Sequence, residues 1–163
     1  MAHDPSGAVK DSEVSVDKTE GGFLITQIKQ IQGRVFEKLL AQAGVEAFNG
    51  AQGRILYILW QSDSIPIVTL AGKTGLAKTT LTGMLDRLEE AGLASRCFDK
   101  ADRRQIRIVL TEKARVLQTD YERVSRQMTE IFYRGFEDTE IEGFERLLGR
   151  ILDNLEREEK ANG

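Results

Sequence analysis

Three threonines, a few lysines and a tight group of arginines carry the chemistry open to this chain. From Ala77 to Gly92 it reads A-K-T-T-L-T-G-M-L-D-R-L-E-E-A-G. Leu81, Met84, Leu85 and Leu88 recur at three- and four-residue steps, so one side of a helix is apolar. Lys78, Thr79, Thr82, Gly83, Asp86 and Arg87 fall on the other side, which is small, polar and partly basic. Such a face is slim enough for the major groove of double-stranded DNA. There Thr79, Thr80 and Thr82 would meet base edges or thymine methyls, while Lys78 and Arg87 would hold phosphates. The bland alternative is a solvated amphipathic helix.

The second group is Asp99-Lys100-Ala101-Asp102-Arg103-Arg104, on a short loop between two strand-like runs. A hairpin tip fits the minor groove, whose negative potential favours Arg. Arg103 and Lys100 would then lie along phosphates. Asp102 is expected to hold a neighbouring arginine by a charge-assisted hydrogen bond, fixing the tip. A solvated charged turn is the alternative here.

The flanking elements suit this purpose. Val68 to Leu76 reads as a short helix closed by Gly75 in a left-handed turn. With the helix that follows it makes a helix-turn-helix. After Gly92 come L-A-S-R-C-F and Q-I-R-I-V-L. Ile106, Ile108 and Leu110 alternate with Arg107 and Val109 as in a half-buried strand, so the pair reads as a wing.

These residues resemble the multiple-antibiotic-resistance regulator (MarR) family. The likeness rests on L-A-x-x-T-G-L from Leu70 and T-T-L-T-x-M-L-D-R-L-E-x-x-G-L from Thr79. The wing triplet Asp102-Arg103-Arg104 and L-T-E-K-A from Leu110 complete it. It covers about Phe23 to the C-terminus and implies a homodimer. It also implies that the last arginine of the wing motif, here Arg104, enters the minor groove. Ala77 departs from the usual Ser or Asp cap, forgoing roughly 1 kcal/mol. Gly83 stands where a larger, often basic residue is common.

The expected fold is mainly α with a small β-hairpin: a winged helix-turn-helix head plus long N- and C-terminal dimerisation helices. Residues 1–20 read as a mobile tail, 21–48 as an N-terminal dimerisation helix, 49–112 as the DNA-binding domain and 113–163 as C-terminal dimerisation helices. Leu24, Ile28, Ile31, Val35 and Leu39 stripe the first helix. Asn49 is a candidate cap for a helix over Gly50 to Gln61, and Pro66 suits a first helical position. Thr111 is expected to cap one helix running to about Gly135. Its residues Ala114, Leu117, Tyr121, Val124, Met128 and Ile131 have heptad spacing and read as a seam against a second copy. A last helix follows from about Thr139 to Lys160, with Ile141, Phe144, Leu148, Ile151 and Leu155 on one face.

At 163 residues and 40% hydrophobic the chain can bury a core. Residues 72–107 hold eight basic against five acidic groups, a +3 patch inside a chain of net charge −3. Local positive charge in a negative protein suits phosphates. Catalysis finds no footing. His3 is the sole histidine, excluding paired-histidine metal sites and His-based triads, and Gly72-Lys73-Thr74 lacks the earlier glycine of a phosphate loop because Ile67 stands there. No enzyme, cofactor or metal is expected. Cys97, the single cysteine, reads as a small buried hydrophobe, with a redox sensor as the alternative; no second thiol can resolve an oxidised form, and relatives that sense oxidation carry theirs near the first helix. No signal peptide or membrane span is visible, so a prokaryotic cytoplasm, on the nucleoid, is the expected place. Tyr57 and Trp60 read as core, or with Arg34 as the border of a cleft for a small aromatic or anionic ligand. The leading function is a sequence-specific homodimeric repressor on a pseudo-palindromic operator, released by such a ligand; the alternative is a helical protein–protein interaction module.

Overall fold

Leucine and isoleucine side chains at helical spacing decide how this chain packs. The computed structural model describes residues 18–163, so most of the expected tail, with His3, lies outside the described residues. The chain divides into two units, Met1–Arg34 and Val35–Gly163. The described part of the first is almost wholly the opening turns of helix α1 (Gly21–Gln42), where Phe23, Leu24, Ile25, Ile28 and Ile31 are all exposed.

The second unit continues through α2 (Gly50–Gln61), β1 (Ile65–Pro66), α3 (Ile67–Thr74), α4 (Lys78–Glu90), β2 (Ala94–Phe98) and β3 (Ile106–Leu110). It ends with α5 (Glu112–Arg115), α6 (Gln118–Phe132) and α7 (Asp138–Asn162). Asn49 caps α2 as its position predicts: its side chain accepts from the Gln52 amide at 2.8 Å, and the Gln52 side chain accepts from the Asn49 amide at 3.0 Å. That reciprocal box satisfies two donors at the helix start. Gly75 ends α3 in the left-handed region at φ 65°. The core gathers Leu40, Ile55, Leu56, Leu59, Leu70 and the inner side of α4.

Three expectations need correction. The wing is not a two-stranded hairpin alone but part of a three-stranded antiparallel sheet of order β1-β3-β2, in which Ile65 pairs with Ile108. Pro66 therefore ends an edge strand and precedes α3, instead of opening it. A proline tolerates such an edge, and two residues leave no alternation to read. The helix expected from Thr111 to Gly135 is broken into α5 and α6. Around Val116 the backbone tightens, with Leu117 N donating to Ala114 O at 3.2 Å. Third, the heptad-spaced seam is largely covered within the protomer: Ala114, Tyr121 and Val124 belong to the core, and Met128 is buried. Spacing reports that a helix has an apolar stripe, not whose atoms cover it.

Tyr121 is the hub of an aromatic cluster, 5.2 Å from the Trp60 ring and 6.0 Å from Phe48. Gly53 lets these rings approach α2, since a Cβ there would stand 2.8 Å from Tyr121 Cε2 and 3.0 Å from Phe48 Cε2. Gly53→Ala should therefore cost about 1–3 kcal/mol in urea unfolding, despite alanine's better helix propensity. Gly72, on α3, faces open space, so Gly72→Ala should stabilise by roughly 0.5–1 kcal/mol.

Candidate nucleic-acid interface

The rotation of α4 is fixed by Leu81, Leu85 and Leu88, at 1%, 2% and 0% exposure. Lys78, Thr79, Thr80, Thr82, Gly83 and Arg87 are thereby left exposed. Thr82 Oγ1 donates to Lys78 O at 2.8 Å, which fixes its methyl and leaves the hydroxyl oxygen able to accept. Ala77 stands at the cap with no side-chain hydrogen bond, so the first amides of this 13-residue helix have no side-chain acceptor from it.

At the wing tip two aspartates set the shape. Asp102 Oδ1 accepts from the Arg104 amide and from Arg104 Nε, both at 3.1 Å, and Oδ2 accepts from Nη2 at 3.4 Å. Arg104 is thus held while its side chain stays 91% exposed. The arginine hydrogen bond, then the backbone amide, holds the Asp102 carboxyl below its usual range. Asp99 accepts from the Ala101 amide at 2.7 Å, from the Asp102 amide at 3.2 Å and from Arg107 Nε. The Arg107 bond and those amides likewise hold the Asp99 carboxyl low. Arg107 also donates to Ser64 O, tying the wing to the β1 side of the sheet.

Arg96 is a residue whose role the sequence did not reveal. It was one cation of the basic patch; in the fold its guanidinium spans β2 to α4, with Nη1 2.5 Å from Glu89 Oε2 and Nη2 2.6 Å from Asp86 Oδ1. Nη2 also donates to Thr82 O at 3.2 Å. Burial works against its charge, but the bonds to Asp86 and Glu89 outweigh that and raise its pKa. The spacing of Asp86 and Glu89 was the available signal, since residues three apart share a helix face.

These pairings change the meaning of the charge count. Arg96, Arg104 and Arg107 consume Asp86, Glu89, Asp99 and Asp102, leaving Glu90 as the one acid of residues 72–107 with no ion pair among the described residues. Lys73, Lys78, Arg87, Lys100 and Arg103 carry no ion pair among the described residues. Among the other expected site residues, Tyr57 is 42% exposed, and Trp60 packs against Phe48 and Tyr121 with its Nε1 donating to Ala114 O at 3.0 Å. Arg34 is exposed on α1, in the first unit. Cys97 is a correction: it is exposed, not buried, because it points to the uncovered side of the edge strand β2.

Arg96→Ala would strip counter-charge from two carboxylates and a donor from the α4 backbone. All three acceptors retain solvent access, so the loss should be about 1 kcal/mol in thermal unfolding. Arg96→Lys should recover only part of it, since one ammonium nitrogen lacks the planar spread by which the guanidinium reaches both carboxylates and Thr82 O at once. A lysine variant fully as stable as the parent would show that the fork does not matter.

Residues 48–106 match the model of the MarR family. The HTH-type transcriptional regulator TtmR of Methylorubrum extorquens is 34% identical over 86 residues, covering 53% of this chain. The chain spans only 43% of that relative's length. The HTH-type transcriptional regulator YsmB of Bacillus subtilis is 33% identical over 100 residues, which are 61% of this chain and 68% of the relative. A crystal structure of a mutant MarR from E.coli complexed with operator DNA superposes with a TM-score of 0.72, at 23% identity, over 80% of this chain and 92% of that one. The winged helix-turn-helix thus recurs where sequence and geometry both point to it, and the chain belongs to the MarR family of transcriptional regulators.

Proposed function

We propose that this protein is a homodimeric repressor that binds a pseudo-palindromic operator in double-stranded DNA. One observation carries the reading: four of the five acids of the patch are tied up internally, whereas Lys78, Arg87, Lys100 and Arg103 on α4 and the wing carry no ion pair among the described residues. Thr79, Thr80 and Thr82 contact base edges in the major groove, and Lys78 and Arg87 hold phosphates. Arg104, presented by Asp102, enters the minor groove, with Arg103 and Lys100 along its phosphates. That a protein of the same fold, the MarR of E.coli, was crystallised in complex with operator DNA supports the DNA-binding reading. No helix among the described residues is long and apolar enough to cross a membrane, and the proposed site of action is the bacterial cytoplasm. The role is one of binding, not of catalysis.

A second copy covers the apolar faces that the chain leaves open. No residue of α7 is buried, and Leu147, Ile151, Leu152 and Leu155 are 43–63% exposed along it. Two-fold symmetry then presents two α4 helices to two half-sites. A small aromatic or anionic ligand would act through Tyr57, because Trp60 is committed to the core.

In gel-shift titrations across a salt series, Arg104→Ala should weaken binding and lower the slope of log affinity against log salt by about one unit. Asp102→Ala should also weaken binding, although it removes a negative charge; tighter binding would refute the presenting role. In sedimentation, the wild type should run as a dimer, and the double variant Leu148→Asp, Leu155→Asp as a monomer with poor DNA binding, since the interface would bury unpaired charge.

A further inference from the structure

We propose that Phe98, together with Lys100 and Arg103, seats one deoxyribose-phosphate unit of the DNA backbone between the groove read by α4 and the groove entered by the wing. This rests on the DNA-binding reading above and adds to it a contact made through an apolar plate.

The strand register places the ring. Ala94 opposes Leu110, Arg96 opposes Ile108 and Phe98 opposes Ile106. Residues directly opposed in an antiparallel pair share a face. Ile108 and Leu110 are buried at 0% and 5% exposure, so Phe98 stands on the core-facing side of the hairpin. It is nevertheless 71% exposed, because the protein's own core ends before reaching it. The same face carries Arg96, which reaches Thr82 O and Asp86 on α4. Phe98 therefore lies on the recognition-helix side of the wing, one strand repeat nearer the tip.

The surroundings select the occupant. Phe98 walls an open cavity of about 590 Å³ with Asp99, Lys100 and Arg103. The Asp99 side chain is 11% exposed, and both its oxygens are taken, by Arg107 and by the Ala101 and Asp102 amides. What the cavity offers is two unpaired cations beside an apolar ring. A lone exposed aromatic is ordinary. An aromatic framed by two free cations is complementary to a sugar, which has an apolar C–H face, joined to a phosphate. A second copy of this patch would be repelled by the same charges. A base would have to leave its stack first, at a cost of a few kcal/mol. The sugar is already outside the stack.

The test uses the full chain, a duplex the protein selects from a random pool, and a random-sequence duplex. Phe98→Ala should weaken binding to both by about tenfold, the worth of burying one such side chain. The salt slope should stay unchanged, because no charge is lost, whereas Arg103→Ala should lower it by about 0.9. Phe98→Tyr should bind as the wild type does. The thermal midpoint should not fall in Phe98→Ala, which separates lost contact from lost fold. Wild-type affinity in Phe98→Ala would overturn the seat. So would a loss confined to duplexes holding one particular base step, since that marks a wedge between bases. If the wild type itself shows no salt-dependent binding to either duplex, the DNA-binding reading fails, and the seat with it.

Discussion

Three leucines hold the outward face of α4, the proposed reading surface, in place. Leu81, Leu85 and Leu88 are at most 2% exposed and repeat at steps of four and three residues. A helix anchored by such a stripe cannot turn about its axis without drawing apolar surface into water, at about 25 cal/mol per Å². Met84 apart, which also packs against the core, the positions between the leucines have no such constraint. They can be small, polar or charged without drawing apolar surface into water, and Thr82, Gly83, Asp86 and Arg87 are. Burial on one side and the proposed recognition on the other are therefore a single constraint, and the wing inherits it, since Arg96 fastens β2 to that same helix.

Surface ion pairs contribute little to stability one at a time, at about 0–1 kcal/mol each. Their consequence here is electrostatic. A net charge of −3 on the whole chain would repel an anion at long range. Four acids in the patch are matched to three arginines at close quarters, and screening within about 10 Å removes most of what is left of distant charges at 0.1 M salt. On the proposed reading, an approaching phosphate meets the cations of α4 and the wing that carry no ion pair among the described residues. Asp102 illustrates the logic at its smallest scale: a carboxylate beside the proposed anion site is tolerable once it is spent on orienting the arginine next to it.

The parts of this fold that were legible in the sequence are those fixed by neighbours in the chain. Asn49 caps α2 through Gln52, three residues on. Gly75 takes its left-handed turn because only backbone sterics are involved. The clasp between Asp102 and Arg104 spans two positions. The illegible parts depend on what lies across space. Two residues of β1 acquire strand character only by pairing with Ile108 and Arg107. Cys97 is exposed because, among the described residues, its side of the edge strand β2 faces away from the core. Arg96 reads as a cation for DNA until Asp86 and Glu89 are seen opposite it. The heptad spacing of α6 was real, yet the partner it found was chiefly the protein's own core.

Asp63 shows how these local and distant pieces are joined. Its Oδ1 accepts from the Ser64 amide at 2.7 Å and from the Leu110 amide at 2.9 Å, and its Oδ2 accepts from Arg115 on α5. Ser64, a non-glycine residue at φ 59°, is held in a left-handed conformation that costs of order 1–3 kcal/mol. Such a residue persists only where its surroundings over-determine it. Here a carboxylate grips its amide, and Arg107 grips its carbonyl. Arg107 in turn holds Asp99, whose other oxygen takes the Ala101 and Asp102 amides at the wing tip. A continuous polar path thus runs from α5, at the root of the C-terminal helices, to the loop that carries Arg103 and Arg104. The posture of the wing is consequently a property of the tertiary fold, because its tip is shaped by side chains anchored at the far end of the sheet and not by the turn sequence alone.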